Sequence, residues 1–267
     1  VMRIALAQIV SGPDPARNLE LVAEQAHAAA AAGAGLVVFP EATMRCFGRS
    51  LAEVAEPIDG PWANAVREIA RDSGLVVAAG MFTPADDDRV RNTLLITGAE
   101  VEASYDKIHL YDAFGFTESR TVAPGDRPLV ITAAGGSIGC AICYDLRFPE
   151  LFTRLADDGA QLIIVPASWG AGPAKLDQWR LLVRARALDS TTFVAACGQA
   201  DPATVGIESS GSAPTGVGGS MIVGPNGAVV AEAGVAPQLL IADLELDTIT
   251  AARKQIPVLA NRRLGGR

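Results

Sequence analysis

The chain has 267 residues, 49% of them hydrophobic, with 30 acidic against 22 basic side chains and a net charge of −8. That length suits a single α/β domain with a large core, and the acidic balance argues against a nucleic-acid surface, which needs a basic stripe. No apolar run reaches the roughly 18 residues of a membrane span, nothing at the start reads as a signal peptide, and four irregularly spaced cysteines make no disulfide framework, so a cytoplasmic setting without membrane partners is expected.

The opening Val1-Met2 is given no structural weight. Asp14-Pro15 supplies an N-cap and a first-turn proline for an Ala-rich helix that Gly33 closes. Leu36 to Phe39 reads as a buried strand ending on Pro40-Glu41, Pro61 to Asp72 as a helix, and Leu75 to Met81 as a strand. Asp86-Asp87-Asp88 is a solvated turn. Asn92 to Thr97 and Glu102 to Lys107 are further strands, and Leu129 to Thr132 with Ser137 to Tyr144 form a hairpin around Ala-Ala-Gly-Gly. A helix is expected over Arg147 to Asp158, a strand over Leu162 to Val165 and a long helix over Ala174 to Asp189. Strands follow at Phe193 to Ala196, Ser220 to Val223, Ala228 to Ala231 and Leu239 to Leu244, and then a short helix from Thr248 to Gln255. The Gly/Ser-rich stretch from Gly206 to Gly219 reads as a mobile loop within the domain. Helices interleaved with strands but also with several hairpins exclude a purely parallel doubly wound sheet. The pattern predicts two mixed sheets face to face with helices outside, a four-layer α-β-β-α sandwich in one domain over 1–267.

Three polar residues end apolar strands: Glu41, Lys107 and Cys143. Cys143 stands at a strand-to-helix transition, where helix-terminal N–H groups favour a thiolate and the Tyr144 N–H can hold an oxyanion. Cys140 and Cys143 form a C-x-x-C, but within one strand an odd separation sends the side chains to opposite faces, unlike a redox pair or a zinc ligand set. Cys46 and Cys197 read as core. Of the two histidines, His27 lies on the Ala-rich helix, while His109 follows Lys107 closely and keeps a Cys-His pairing open. If histidine is not the base, a carboxylate is, and Glu41 is the candidate, with Lys107 paired to it or to the thiolate. Glu118 reads by itself as a loop charge.

Taken together, Phe39-Pro40-Glu41, Lys107-Ile108-His109-Leu110-Tyr111-Asp112, Phe116-Thr117-Glu118-Ser119 with Pro124-Gly125-Asp126, and Cys143-Tyr144-Asp145-Leu146-Arg147-Phe148-Pro149-Glu150 resemble the nitrilase superfamily of carbon–nitrogen hydrolases. Weaker matches run on through Arg184-Ala185-Arg186-Ala187, Gly219-Ser220 and Ile256-Pro257-Val258, so the resemblance spans essentially the whole chain. It implies the α-β-β-α sandwich, a homodimer or higher homo-oligomer paired through an outer helical face, and a triad of Glu41, Lys107 and Cys143, with Glu118 positioning substrate and lysine. It implies no metal or cofactor, and an amide hydrolysed through a thioester on Cys143. The motif wording is similar to that of the Nit subgroup, whose members act on omega-amides of 2-oxo acids or on deaminated glutathione. Those substrates are anionic, which suits Arg147 as a binding residue. Where the family places Ala-Phe after the proline of a strand, this chain has Pro166-Ala167-Ser168-Trp169-Gly170, so Ser168 and Trp169 reshape a pocket wall. N-carbamoyl hydrolysis, acyl transfer, or a non-catalytic binding role on the same fold are the alternative readings.

Overall fold

Met2–Gln8 form a strand, β1, at the very start of the chain. Met2, given no weight above, is almost wholly buried, because its side chain enters the core between two sheets. The computed structural model describes residues 1–99, 101–208 and 212–264. After β1 come α1 (Pro15–Ala31), β2 (Leu36–Val38), α2 (Pro61–Ser73), β3 (Val76–Pro84), β4 (Val90–Gly98) and β5 (Val101–Asp106). A two-residue pair, β6 (Asp112–Ala113) and β7 (Phe116–Thr117), makes a small hairpin. The second half runs β8 (Val130–Ala133), β9 (Gly136–Cys140), α3 (Pro149–Asp157), β10 (Leu162–Ala167), α4 (Lys175–Ser190) and β11 (Phe193–Gly198). It ends with β12 (Met221–Val223), β13 (Val229–Glu232), β14 (Gln238–Leu244), α5 (Asp247–Gln255) and α6 (Val258–Asn261).

The strands form two six-stranded mixed sheets, ordered β14-β1-β2-β3-β4-β5 and β13-β12-β11-β10-β9-β8. Each has parallel strands at its centre, β1-β2-β3 in one and β9-β10-β11 in the other, with antiparallel strands outside them. Side-chain alternation then assembles the layers. On β1 and β2, Ile4, Leu6, Leu36 and Val38 face the second sheet, whereas Ala5, Ala7, Val37 and Phe39 pack under α1 and α2. On β9, Ile138 and Cys140 share the inter-sheet core, while Gly139 turns outward toward Leu155 on α3. The expected α-β-β-α sandwich is the observed one. Among the described residues, no helix is long and apolar enough to cross a membrane.

Local chemistry explains most boundaries. The Asp14 carboxylate caps α1 by accepting from Ala16 N at 3.0 Å, and Gly33, at φ 78°, ends it. Ala134 and Gly135, both at positive φ, make the two-residue turn between β8 and β9. Two departures from the expected boundaries bear on the site. The strand expected over Ser137 to Tyr144 stops at Cys140, because the Ile142 N–H is taken by the Asp145 carboxylate at 2.9 Å and not by a neighbouring strand. The helix expected from Arg147 begins at Pro149, behind a separate 3-10 turn over Cys143–Arg147. Proline forces the preceding Phe148 into an extended conformation (φ −111°, ψ 93°), and so splits the two.

Candidate active site

Glu41, Lys107, Cys143 and Ser168 meet at the carboxyl ends of strands from both sheets, where α/β sheets place their clefts. Glu41 follows β2, Lys107 follows β5, Cys143 lies just beyond β9 and Ser168 just beyond β10. The cleft is lined by all eight expected residues: Glu41, Lys107, Glu118, Cys143, Tyr144, Arg147, Ser168 and Trp169. Gly80 on β3 makes room for the turn carrying Glu41. A Cβ there would stand 2.8 Å from Ala42 N and 2.9 Å from Pro40 O.

At the floor, Glu41, Lys107 and Glu118 are each at most 2% exposed. The Lys107 ammonium donates to Glu41 Oε1 and Glu118 Oε2, both at 2.8 Å. Asn92, on β4, donates from Nδ2 to Glu41 Oε1 at 2.8 Å and to Glu118 Oε1 at 3.1 Å. Ser168 N reaches Glu41 Oε2 at 2.8 Å, and Tyr111 N reaches Glu118 Oε2 at 2.7 Å. Gln199, beyond β11, donates to the Glu41 carbonyl at 3.0 Å. Oε1 of Glu41 is thus occupied by two donors, while Oε2 has one backbone donor and room for another.

The charges are set by burial and by one another. Burial pushes the Glu41 carboxyl above its ordinary range, against the pull of Lys107. Burial alone would lower the Lys107 ammonium, yet Glu118 and Glu41 carry it well above the usual value, so it is a fixed cation. The Cys143 thiol is driven well upward, first by burial and then by the facing Glu41 carboxylate, which Lys107 only partly offsets. Burial and the Glu41 carboxylate therefore favour the thiol over the helix-stabilised thiolate that was expected, and Sγ donates to Ser168 O at 3.8 Å. The helix behind it is a single 3-10 turn, too short for the end charge of an α-helix.

Cys143 itself sits at φ 47°, a left-handed conformation costing a non-glycine residue about 1–2 kcal/mol. Asp145 holds it there. Fully buried, Asp145 accepts from Ile142 N (2.9 Å), Tyr105 Oη (2.8 Å) and His109 N (2.9 Å), and its Oδ1 lies 2.7 Å from His109 Nδ1. His109 also stacks on Phe148 at 3.7 Å. The histidine that kept a Cys-His pairing open is therefore engaged with Asp145, behind the nucleophile turn. Cys140 is buried in the inter-sheet core, and its thiol is pushed up to about 12 by burial. Its separation from Cys143 comes from the strand ending between them as well as from alternation. Cys197 is core as expected, whereas Cys46 is only half-buried.

Above the floor the walls are aromatic and cationic. Phe47, Tyr111 and Phe116 line one side. The Arg147 guanidinium lies 5.1 Å from the Trp169 ring and 5.9 Å from the Tyr144 ring, donates to Gln178 Oε1 at 2.8 Å, and keeps its Nε buried without a hydrogen-bond partner. Part of the expected 206–219 loop, residues 209–211, falls outside the described residues. Its later portion is tied to the wall: Pro214 O accepts from Ser168 Oγ at 2.8 Å, and Gly216 N donates to Trp169 O at 3.2 Å.

Sequence reasoning missed Asn92, Asp145 and Lys175. Asn92 stands between Arg91 and Thr93, ahead of the apolar Leu94-Leu95-Ile96, so the sequence carried no signal for it, although a buried amide needs partners. Asp145 stood within a quoted motif without a role, and Lys175 is the buried first residue of α4 on the cleft wall.

Comparison with known proteins agrees with this geometry. Residues 3–254 match the family model of the carbon-nitrogen hydrolases. A hydrolase of Mycobacterium tuberculosis is 61% identical, across 98% of this chain and 95% of its own length. An omega-amidase of Xenopus tropicalis is 32% identical, across 98% and 95% respectively. Among solved structures, a mutant of the amidase from Nesterenkonia sp. AN1 aligns with a TM-score of 0.82 and 31% identity, over 98% of this chain and 94% of that one. That structure shows the acetamide moiety of fluoroacetamide added covalently at the active site cysteine. The chain belongs to the carbon–nitrogen hydrolase family of the nitrilase superfamily, enzymes that cleave non-peptide carbon–nitrogen bonds.

Proposed function

We propose that this enzyme is an amidase for small linear amides that carry a carboxylate, working through a thioester on Cys143. The observation that carries the reading is the pairing of a buried Cys143–Glu41–Lys107 floor with Arg147, a wall cation whose Nε has no hydrogen-bond partner among the described residues. An omega-amidase name among the relatives supports it.

In this reading the amide carbon comes to Cys143 Sγ. As the C–S bond forms, the thiol proton passes to Glu41, whose Oε2 has the freer lone pairs. Lys107 Nζ and the Tyr144 N–H stabilise the oxyanion, with no reorganisation because both are already fixed. The Lys107 ammonium holds its proton too firmly to act as the shuttle, which leaves that task to Glu41. Collapse of the tetrahedral species breaks the C–N bond, Glu41 returns the proton to the departing nitrogen, and ammonia leaves. Water then gives a proton to Glu41 and attacks the thioester carbonyl. The C–S bond breaks, and the sulfur takes the proton back from Glu41. Glu118 keeps Lys107 in place, and Ser168 and Trp169 form the wall beside the reacting carbon.

The test is a panel of dicarboxylic monoamides and uncharged amides, with ammonia and carbon dioxide both measured and the acyl-enzyme trapped for its mass. The expected result is ammonia without carbon dioxide, an adduct on Cys143, and faster turnover of the anionic amides. Turnover retained by Cys143→Ala, release of carbon dioxide, or preference for uncharged amides would each overturn the proposal.

A further inference from the structure

Lys175 is placed against its own electrostatic interest. It opens α4, where the helix dipole already presents positive charge and a cation is disfavoured. The residue before it, Ala174, is held at φ 58°. Lys175 is 8% exposed, and among the described residues no carboxylate lies within ion-pair distance of its ammonium. Its neighbours are aromatic rings: Nζ lies 3.1 Å from the Phe114 ring centroid, on the tip between β6 and β7, and 6.0 Å from that of Tyr111. Its backbone is anchored, since Lys175 O accepts from Trp169 Nε1 at 2.9 Å. Burial and the charge of Arg147 both push its pKa down, so the cleft holds two cations that repel each other.

A desolvated ammonium is costly without an anion, and ring faces return only part of its lost hydration. Among the described residues neither Lys175 nor Arg147 finds that anion, and both line the same cleft as Cys143. We infer that Lys175 and Arg147 jointly receive the substrate's carboxylate, and that Lys175 sets the preference for anionic over uncharged amides. The inference rests on the amidase reading above and adds a specificity-determining residue to it. An uncharged amide leaves both cations unpaired. A carboxylate relieves their repulsion while its amide end reaches the thiol.

The experiment compares glutaramate with pentanamide, an uncharged amide of the same length, in the wild type, Lys175→Met and Lys175→Arg. A hydrogen-bonded charge pair of this kind corresponds to roughly 10- to 100-fold in affinity. Lys175→Met is therefore expected to lower kcat/KM for glutaramate at least tenfold more than for pentanamide, mainly through KM, and Lys175→Arg to restore much of the difference. Thermal unfolding of both variants monitors the fold. Equal losses on both substrates make Lys175 structural and overturn the inference, as does an unchanged preference in Lys175→Met. A wild type that does not prefer glutaramate overturns the carboxylate reading of the enzyme as well. A wild-type preference that survives Lys175→Met overturns the role of Lys175 alone.

Discussion

Replacing Asn92 by alanine isolates the contribution of one buried amide to the catalytic carboxylate. The substitution removes the Nδ2 group shared between Glu41 Oε1 and Glu118 Oε1 at 2.8 and 3.1 Å, in a side chain that is 1% exposed. Hydrogen bonds to charged groups contribute about 1.5–3 kcal/mol each, and the shorter one, to Glu41, dominates here. Because Lys107 and the Ser168 N–H still hold Glu41, only part of that energy is lost from the transition state. A fall of about 10- to 100-fold in kcat/KM is expected, equivalent to roughly 1.4–2.7 kcal/mol. The pH dependence has a definite sign. Glu41 must be ionised to take the thiol proton, and burial already raises its pKa. Loss of a donor to the ionised form raises it further. The acid limb of kcat/KM therefore moves to higher pH, and the deficit is greatest on the acid side and shrinks toward alkaline pH. Ammonia release measured from mildly acidic to mildly alkaline pH decides the matter. A uniform loss without displacement of the limb would mean that Asn92 supports only the fold, and wild-type activity at all pH values would refute the network argument.

Three further substitutions probe neighbouring parts of the site. Glu41→Gln removes the proton acceptor and should cost about 100- to 10,000-fold in acylation rate, read as slower appearance of the trapped acyl-enzyme by mass spectrometry. Asp145→Ala leaves the Tyr105 hydroxyl, the Ile142 N–H and the His109 donors unpaired, at about 1–3 kcal/mol for each buried group, so the urea midpoint should drop sharply and Cys143 alkylation should change with it. Gly80→Ala forces a methyl against Ala42 N and Pro40 O; overpacking of this kind costs about 1–3 kcal/mol, and activity should fall much more than thermal stability because the displaced turn carries Glu41.

The main chemistry was legible because the site violates the pattern of the strands that carry it. A carboxylate after Leu-Val-Val-Phe-Pro and a thiol after a buried strand stand out against their apolar surroundings, and the order of motifs then fixed their partners. Asn92 was hidden for the opposite reason: it lies between Arg91 and Thr93 in the polar opening of β4, and nothing local shows that it bridges Glu41, 51 residues earlier, and Glu118, 26 residues later. Lys175 opens a helix between Ala174 and Leu176 like an ordinary exposed lysine, whereas its burial under Phe114 depends on a hairpin contributed by another part of the chain. The protonation state of Cys143 was misread because a strand-to-helix junction was taken to end in a true helix. The charge that governs the thiol belongs to Glu41, about 100 residues away in sequence.

That correction changes the electrostatic logic of the site. A resting thiolate would pair with Lys107 and consume the positive field before any substrate arrived. In the proposed mechanism Cys143 starts as the thiol with Lys107 balanced by Glu41 and Glu118, and as Glu41 takes up the thiol proton only Glu118 still opposes the ammonium's field. The moment at which Glu41 loses its negative charge is also the moment at which the substrate oxygen gains one. Proton transfer and oxyanion stabilisation are therefore coupled through a single ammonium. Burying such a network commonly costs stability relative to an apolar core, and Ala42 and Cys143 add left-handed strain at the same place, at φ 58° and 47°. These costs fall on residues whose fixed positions spare the reaction a reorganisation step. For that reason Glu118 and Asn92 are expected to matter to the rate: Glu118 Oε2 accepts from Lys107 and Asn92 Nδ2 donates to Glu41, which keeps both oriented while the charge between them moves in the proposed mechanism.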